Sequence, residues 1–470
     1  MAQGTDTEDL TTGTLRAAFQ GTVLTPRQAG YDEARHIWNG MIDRRPAVIA
    51  RCAGLADVRA ALAFAREEHL PVAVRAGGHG VAGWATGDGA LVIDLSGLRG
   101  VVVDPVRRRV RVQPGARLGD LTEETERFGL AVPAGIVTGT GVAGLTLGGG
   151  IGWLMRRWGL TCDNLRAADV LTADGELVHA SDNEHPDLLW GLKGGGGNFG
   201  IVTAFEFDAQ RLGPEIVGGV VLYALEDAAE ILRRYDAWAA DAPDELTTIF
   251  TLRTVPPLPS FPRHLHGRRV LSIGVCHAGD PAAGDVLVAP LRGFGRPVHD
   301  TVARRRFSDL QRMLDASVPD GFRYYWKSEF LPGLSDQAIE TLVGFAARAP
   351  QPWSYTIVFQ QGGAVARVPE KATAFGDRGA RFAVNINGVT DRAANDGAVI
   401  EWVRAHWVAL SPSSTGRVYV NFLGAEGQER VRAAYGDDTY RRLVALKDRY
   451  DPSNVFRLNQ NIPPSGARDA

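Results

Sequence analysis

The stretch Val74-Arg75-Ala76-Gly77-Gly78-His79 decides how the rest of the chain is interpreted, because two adjacent glycines place a histidine beside exposed backbone amides. Glycine adopts backbone angles that other residues avoid, so the chain can turn tightly and approach a ligand closely. Successive N–H groups in such a turn form a concave anion site. The stretch therefore predicts a pyrophosphate cradle that includes Gly80, with His79 beside the ligand. The alternative is an ordinary loop with a structural histidine.

The composition is that of a globular chain. A length of 470 residues predicts two or three domains, with 45% hydrophobic and 22% charged residues. The 54 acidic and 51 basic side chains leave a net charge of −3. This balance gives no sign of a nucleic-acid or anionic-membrane partner, so a small-molecule ligand is expected.

The cysteines and the N-terminus indicate a cytoplasmic protein. Cys52, Cys162 and Cys276 are odd in number and widely spaced, which fits neither a disulfide framework nor a zinc site. Met1–Leu10 is polar and acidic and shows no secretory signal. No apolar run approaches the roughly 20 residues that span a bilayer. A monomer and a homodimer are both compatible with the sequence.

Residues 1–210 are predicted to form one α+β domain of short mixed strands. Strands are expected over 46–51, 72–74, 90–95, 100–105 and 109–115, with a helix along the apolar positions of 58–69. The pattern lacks the regular βαβ repeat of a Rossmann domain.

Residues 211–425 are predicted to form a second domain, an antiparallel sheet covered by helices that walls a substrate cavity. The expected strands are 216–223, 247–253, 270–275, 354–359 and 382–386, and the expected helices are 228–239 and 336–347. Residues 426–470 contain a charged helix and a tail that packs back on the first domain.

Two further glycine runs, 138–152 and 193–203, are the strongest remaining signals. The first is too rich in glycine for a stable isolated helix. The first run is interpreted as backbone wrapped against a bulky planar cofactor, and tight turns between packed elements are the alternative. The predicted binding residues are Thr138, Gly139, Gly141, Gly144, Gly149 and Gly152 in the first run and Gly197, Asn198, Gly200, Ile201 and Val202 in the second.

With these motifs in order, the chain resembles the berberine-bridge-enzyme-like branch of FAD-linked oxidases, over nearly its whole length. The resemblance rests on Arg75–His79, on Gly148–Trp153 with Gly159-Leu160 and Asp163-Asn164, on Gly194–Val202, on Tyr419-Val420-Asn421, and on Tyr450–Pro452 through Ile462-Pro463. It implies a PCMH-type FAD-binding domain of two α+β subdomains and a separate substrate domain.

The resemblance implies a single covalent link to FAD. The histidine of the family's Arg-x-Gly-Gly-His motif forms an 8α-histidyl bond to the flavin, and here it is His79. Many relatives add a cysteinyl link, but its position falls on Val137 in this chain. Cys162 lies downstream and is interpreted as a buried core thiol.

The resemblance also implies the reaction. A small organic substrate, such as an amine, an alcohol, a phenol or a readily enolised polyketide of secondary metabolism, gives a hydride to the flavin, and O2 then yields H2O2. Thr140 occupies the position that controls oxygen access and leaves room for O2. The alternative is an enzyme that oxygenates a polyketide through a flavin–oxygen adduct, since a bacterial branch of this kind is similar around Ile37–Gly40 and Tyr419–Phe422. A flavin-carrying binding protein without turnover is the third possibility.

The family's catalytic bases are missing. The second tyrosine of the Tyr-x-Asn-Tyr segment is replaced by Phe422, and the glutamate position of other relatives falls on Val384 or Asn385. The predicted catalytic residues are Tyr419, Asn421, Gln360, Asn385 and Thr140, with Tyr355, Asn387, His277 and Tyr325 as further candidates. Tyr419, Asn421 and Asn459 are also expected to hold the flavin ring through hydrogen bonds.

Overall fold

The computed structural model describes residues 12–466, so the prediction about Met1–Leu10 lies outside the described residues. The strands are β1 Thr22–Leu24, β2 Val48–Arg51, β3 Val72–Arg75, β4 Leu91–Asp94, β5 Val101–Asp104, β6 Arg109–Val112, β7 Leu130–Ala131, β8 Leu165–Leu171, β9 Leu177–Ser181, β10 Ile201–Asp208, β11 Gln210–Arg211, β12 Ile216–Ala224, β13 Leu246–Thr254, β14 Arg269–His277, β15 His299–Asp300, β16 Ala303–Arg305, β17 Arg323–Leu331, β18 Tyr355–Gln360 and β19 Phe382–Thr390.

The α-helices alternate with these strands. They are α1 Gly13–Ala17, α2 Tyr31–Arg35, α3 Leu55–Glu67, α4 Leu118–Glu126, α5 Val142–Leu147, α6 Met155–Trp158, α7 Pro186–Leu192, α8 Ala228–Ala240, α9 Pro281–Val288, α10 Phe307–Arg312, α11 Asp336–Ala346, α12 Ala364–Arg367, α13 Asp396–Leu410, α14 Gln428–Tyr435 and α15 Asp437–Tyr450.

A four-stranded sheet of order β1-β2-β4-β3 positions the histidine turn. Strand β4 pairs in parallel with both β2 and β3, and its Leu91–Ile93 segment is fully buried. Burial on both faces explains its unbroken apolar sequence. The turn with His79 begins directly after β3, so this sheet anchors it.

A second, five-stranded sheet of order β5-β6-β10-β8-β9 is antiparallel throughout. The first long glycine run contains helix α5, although the run was expected to be too rich in glycine for a helix by itself. The helix has six residues, and Gly148 caps its C-terminal end. Buried Val142 and Thr146 pack it against the core, and this tertiary contact supplies what the glycine-rich sequence lacks.

The third sheet has eight strands, in the order β15-β12-β14-β13-β18-β19-β17, with β16 beside β12. Helices α8, α11 and α13 cover one face of this sheet, where Phe250, Val358 and Val384 join their core. Side chains alternate along a strand, so Ile249 and Ile357 point to the opposite face. That opposite face is turned toward the glycine runs.

The structure confirms the predicted α+β class, with a large antiparallel sheet covered by helices on one face. The domain limits 1–210, 211–425 and 426–470 remain predictions. No helix among residues 12–466 combines the length and the apolar character that a membrane span requires.

Candidate active site

One cavity runs between the glycine-rich turns and the open face of the eight-stranded sheet. Of the predicted site residues, its lining contains Ala76, Gly77, Gly78, His79, Gly80, Thr140, Gly141, Gly144, Gly197, Asn198, Gly200, Ile201, Val202, Asn385, Tyr419, Asn421 and Asn459. Residues that lie more than 380 positions apart in sequence therefore meet at one site.

His79 stacks on Trp38. Their ring centroids are 4.1 Å apart with an interplanar angle of 14°, and Trp38 stacks in turn on Tyr324 at 3.8 Å. Burial lowers the pKa of His79 to about 4. The imidazole is therefore neutral at neutral pH, which is the form that has a nucleophilic nitrogen.

Asn39 fixes the histidine turn to the large sheet. Its side-chain amide donates to the carbonyl oxygens of Val81, at 2.9 Å, and Tyr324, at 3.0 Å. Its Oδ1 accepts from the Tyr324 N–H at 2.9 Å. Because Asn39 is only 1% exposed, these bonds join the two walls of the cavity without competition from water.

Gly77 and Gly141 bring two of the glycine-rich segments into direct backbone contact. A Cβ added to Gly77 would lie 2.5 Å from the N and Cα of Gly141, and one added to Gly141 would lie 2.7 Å from the N of Gly77. Only residues without a side chain permit this approach.

Hydrogen bonds from the C-terminal segment hold the glycine run 193–203. Lys447 is fully buried and donates to Asp451 Oδ2 at 2.6 Å and to the carbonyl oxygens of Asn198 and Phe456 at 2.9 and 3.0 Å. Asn459 Nδ2 bonds Gly197 O at 3.2 Å. The tail therefore contributes to the cavity wall through Asn459.

The cavity wall is compatible with the flavin nucleotide that the resemblance implies. A Cβ added to Gly80, Gly144 or Gly197 would meet no described protein atom within 4 Å, so the backbone there is open to a ligand. The Oδ1 atom of Asn459 is buried and lacks a hydrogen-bond partner among the described residues. Buried polar atoms are almost always paired, so we expect this oxygen to accept a hydrogen bond from a bound group.

Tyr419 and Asn421 contact the first long glycine run, and Tyr419 also packs with residues of the large sheet. The Tyr419 hydroxyl accepts from the Gly150 N–H and from Asn421 Nδ2, both at 2.8 Å. Asn421 Nδ2 also donates to Leu145 O at 3.0 Å. Burial raises the pKa of Tyr419 to about 12, so its hydroxyl is protonated at neutral pH. Tyr419 thus starts as a hydrogen-bonding group rather than an ionised base.

The open face of the large sheet presents two rows of side chains to the cavity. In register across β13, β18, β19 and β17, the first row is Arg253, Tyr355, Asn387 and Trp326. The second row contains Thr251, Ile357 and Asn385. A mixed polar and aromatic wall of this kind is typical of a small-molecule site.

Arg253 is the residue that the sequence interpretation missed. It is 8% exposed, and its guanidinium lies 5.5 Å from the centroid of the Tyr355 ring. The available signal was an arginine at the end of a predicted strand. It lies two residues after Thr251, so both side chains are on the same face of the strand. Its place on the cavity side could not be inferred without the strand order.

Gln360 does not reach the cavity, which corrects its place among the catalytic candidates. Its Nε2 donates to Ala239 O at 2.7 Å and its Oε1 accepts from the Thr248 hydroxyl at 2.6 Å. Both partners lie on the helix-covered side of the sheet. Phe359, the preceding residue, lines the cavity, and strand alternation turns Gln360 the other way.

Five predicted cofactor-binding residues lie behind the cavity wall instead of on it. They are Arg75, Thr138, Gly139, Gly149 and Gly152. The Arg75 guanidinium donates to Ala34 O and Ala85 O.

Of the remaining four, Thr138, Gly149 and Gly152 contact other parts of the chain. Thr138 donates to Asp315 through its N–H at 2.9 Å and through its hydroxyl at 2.5 Å. The glycines at 149 and 152 face Phe375 and the Ala134 carbonyl. These residues shape the turns without lining the cavity.

The remaining candidates differ in whether they line the cavity. Cys162 is fully buried, and burial raises its pKa well above the usual value, which confirms the expected core thiol. Val137, at the missing cysteine position, lines the cavity. His277 packs against Gly284, and Tyr325 lies against Arg404, so neither faces the cavity.

The chain matches an FAD-binding family model and is similar to known oxidases. Residues 46–181 match the model of an FAD binding domain, and residues 418–463 match the model described as berberine and berberine like. (R)-6-hydroxynicotine oxidase of Paenarthrobacter nicotinovorans is 31% identical over 461 residues, which cover 96% of this chain and 98% of the relative.

Solved structures agree in architecture. That of 6-hydroxy-D-nicotine oxidase from Arthrobacter nicotinovorans superposes with a TM-score of 0.86 at 28% identity, covering 95% of this chain and 98% of the other. A glucooligosaccharide oxidase from Acremonium strictum, described with a 6-S-cysteinyl, 8α-N1-histidyl FAD, has a TM-score of 0.85 at 22% identity and covers 97% and 99% of the two chains.

Fold, cavity and matched domains together define an FAD-binding oxidoreductase. Within that class, the chain belongs to the berberine-bridge-like family of FAD-linked oxidoreductases, as the resemblance in the sequence indicated.

Proposed function

We propose that the protein is an FAD-dependent oxidase that takes a hydride from a small organic substrate and passes the electrons to O2, giving H2O2. The observation that carries this proposal is the cavity that has glycine-rich backbone and His79 on one side and the polar and aromatic rows of the large sheet on the other. Such a cavity can hold a planar cofactor and a substrate face to face.

The cofactor, when bound, supplies the electron acceptor, and the residues of the chain hold and orient the reactants. His79 is the proposed single covalent attachment point, supported by its neutral imidazole and by the stack with Trp38. Val137 in place of a cysteine and the buried Cys162 support a single link.

On the substrate side, Tyr355 and Asn385 are the proposed polar contacts. Burial raises the pKa of Tyr355 to about 12, so its hydroxyl is protonated and can donate to a substrate oxygen or nitrogen. The Oδ1 atom of Asn385 is buried without a partner in the described chain and can accept from a substrate O–H or N–H. Phe422 and Phe359 keep this part of the cavity apolar.

The proposed location is the cytoplasm. The proposed partners are the small-molecule substrate and O2. Cys52, Cys162 and Cys276 are all free and buried, which suits a reducing compartment.

An anaerobic substrate panel tests the activity. Amines, phenols, alcohols and enolisable polyketides are mixed separately with the purified flavoprotein, and loss of the visible flavin absorption is recorded. We expect at least one class to bleach the flavin, and readmitted O2 to restore the colour with one H2O2 per substrate. Bleaching by none of them would refute an oxidase of these classes. Incorporation of label from ¹⁸O2 into product, in place of H2O2, would establish the oxygenating alternative.

Thr140 is the proposed oxygen-access position, supported by its place on the cavity wall. In a Thr140→Leu variant we expect anaerobic bleaching by substrate to keep its rate while reoxidation by O2 slows at least tenfold. A Thr254→Leu variant, altered at the end of β13 outside the cavity lining, is the matched control. Equal reoxidation in the Thr140→Leu variant and the parent would remove Thr140 from this role.

A further inference from the structure

The strongest unexplained feature of the cavity is a buried, unpaired cation. Of the charged side chains described on the cavity wall, Arg253 is the only arginine, and the same lining contains no Asp, Glu or Lys. Arg253 Nη2 is buried without a hydrogen-bond partner among the described residues. Its Nε makes a 3.3 Å bond to Thr254 O.

Burying the Arg253 guanidinium without an anionic partner lowers the stability of the folded chain. Buried charges are normally paired, because removal from water disfavours the ionised form. Burial lowers the pKa of Arg253, yet a guanidinium stays protonated at neutral pH. No carboxylate of the described chain forms an ion pair with it, so the face of Tyr355 is its main compensation.

The orientation shows which part of Arg253 is available. Its Nε edge is used by the backbone, which leaves the Nη1 and Nη2 edge as the free pair of donors. Arg253 stands on the same face as Tyr355 and Asn387 in the first polar row, and all three line the cavity. Two parallel N–H groups match the two oxygens of a carboxylate.

We propose that the substrate is an organic acid whose carboxylate pairs with Arg253. The proposal rests on the oxidase function above and names its substrate class. Asn385 Oδ1, the unpaired acceptor one row away, receives an O–H or N–H of the same substrate. The acid is therefore expected to carry a hydrogen-bond donor apart from its carboxylate.

Binding to the flavin-loaded protein tests this without requiring turnover. Benzoate, phenylacetate and 4-hydroxybenzoate are each titrated beside the corresponding neutral amide, with the change in flavin absorption as readout. We expect at least one acid to bind about tenfold or more tightly than its amide, as the loss of a charge-assisted hydrogen bond implies. In Arg253→Met this preference disappears, and in Arg253→Lys part of it returns.

The control is Arg269→Met, an exposed position on the neighbouring strand β14, opposite Thr254. It should leave the preference for the acid unchanged. Arg253→Met must also keep its affinity for the amide, because a purely structural role would weaken acid and amide equally. The proposal is wrong if no acid is preferred over its amide, if the preference survives in Arg253→Met, or if both ligands weaken equally. An acid preference in a protein whose flavin no compound of the anaerobic substrate panel bleaches would refute the proposed function and leave the anion site standing.

Discussion

Replacing Gly141 by alanine should damage both stability and flavin attachment. The new Cβ would lie 2.7 Å from Gly77 N and 2.8 Å from Gly77 Cα, about 0.7 Å inside ordinary contact with atoms of the backbone. Overpacking of this kind costs about 1–3 kcal/mol of unfolding free energy. The two segments must separate, and the turn that carries His79 moves with Gly77.

The assay is urea unfolding together with the fraction of chains that keep flavin after acid precipitation. We expect Gly141→Ala to lower both quantities. Gly344→Ala is the matched control, because this helical glycine in α11 has no described atom within 4 Å of an added Cβ. It should gain about 0.5–1 kcal/mol. A Gly141→Ala protein as stable and as fully flavinylated as the parent would refute the role of this contact.

Three further predictions concern buried polar groups. Arg378→Met should cost about 3–5 kcal/mol of unfolding free energy because it strands the Asp163 carboxylate, 2.6 Å away, and adding Asp163→Asn should recover part of the loss in urea unfolding. Tyr419→Phe should cost about 1–3 kcal/mol, since the Gly150 N–H loses its acceptor; equal urea midpoints would contradict this. For His79, the unfolded chain binds a proton that the native flavin-free protein does not bind between about pH 4 and pH 6.5. The unfolding free energy should therefore rise with pH across that window. The rise should be less steep in His79→Ala. Equal slopes of unfolding free energy against pH in the parent and the variant would contradict this prediction.

The fold was accessible from the sequence where one local signal dominates. Unbroken apolar residues predicted β4, and alternating strands separated by helical segments predicted the large sheet. Strand β17 and helix α13 were not predicted, although Trp326 of β17 lines the cavity and α13 covers the opposite face of the large sheet. Helix α5 was missed because its stability comes from buried Val142 and Thr146 rather than from helix propensity.

The site was accessible where a motif carries its own geometry. The glycine turn and His79 were placed on the cavity wall by the motif alone, whereas Gln360 and Arg253 depended on which face of a strand they occupy. A shift of one residue exchanges the two faces of a sheet, and only strand order and packing determine which face is covered. Trp38 illustrates the same limit, because its stack with His79 joins segments about forty residues apart.

The most direct test of the proposed attachment is the acid-denatured protein itself. The parent, His79→Ala and Cys162→Ser are each denatured in acid, freed of small molecules, and measured by absorption and mass. We predict yellow colour and an FAD-sized mass increase in the parent and in Cys162→Ser, and neither in His79→Ala. Colour that separates from the parent, or that stays with His79→Ala, would contradict a single link through His79.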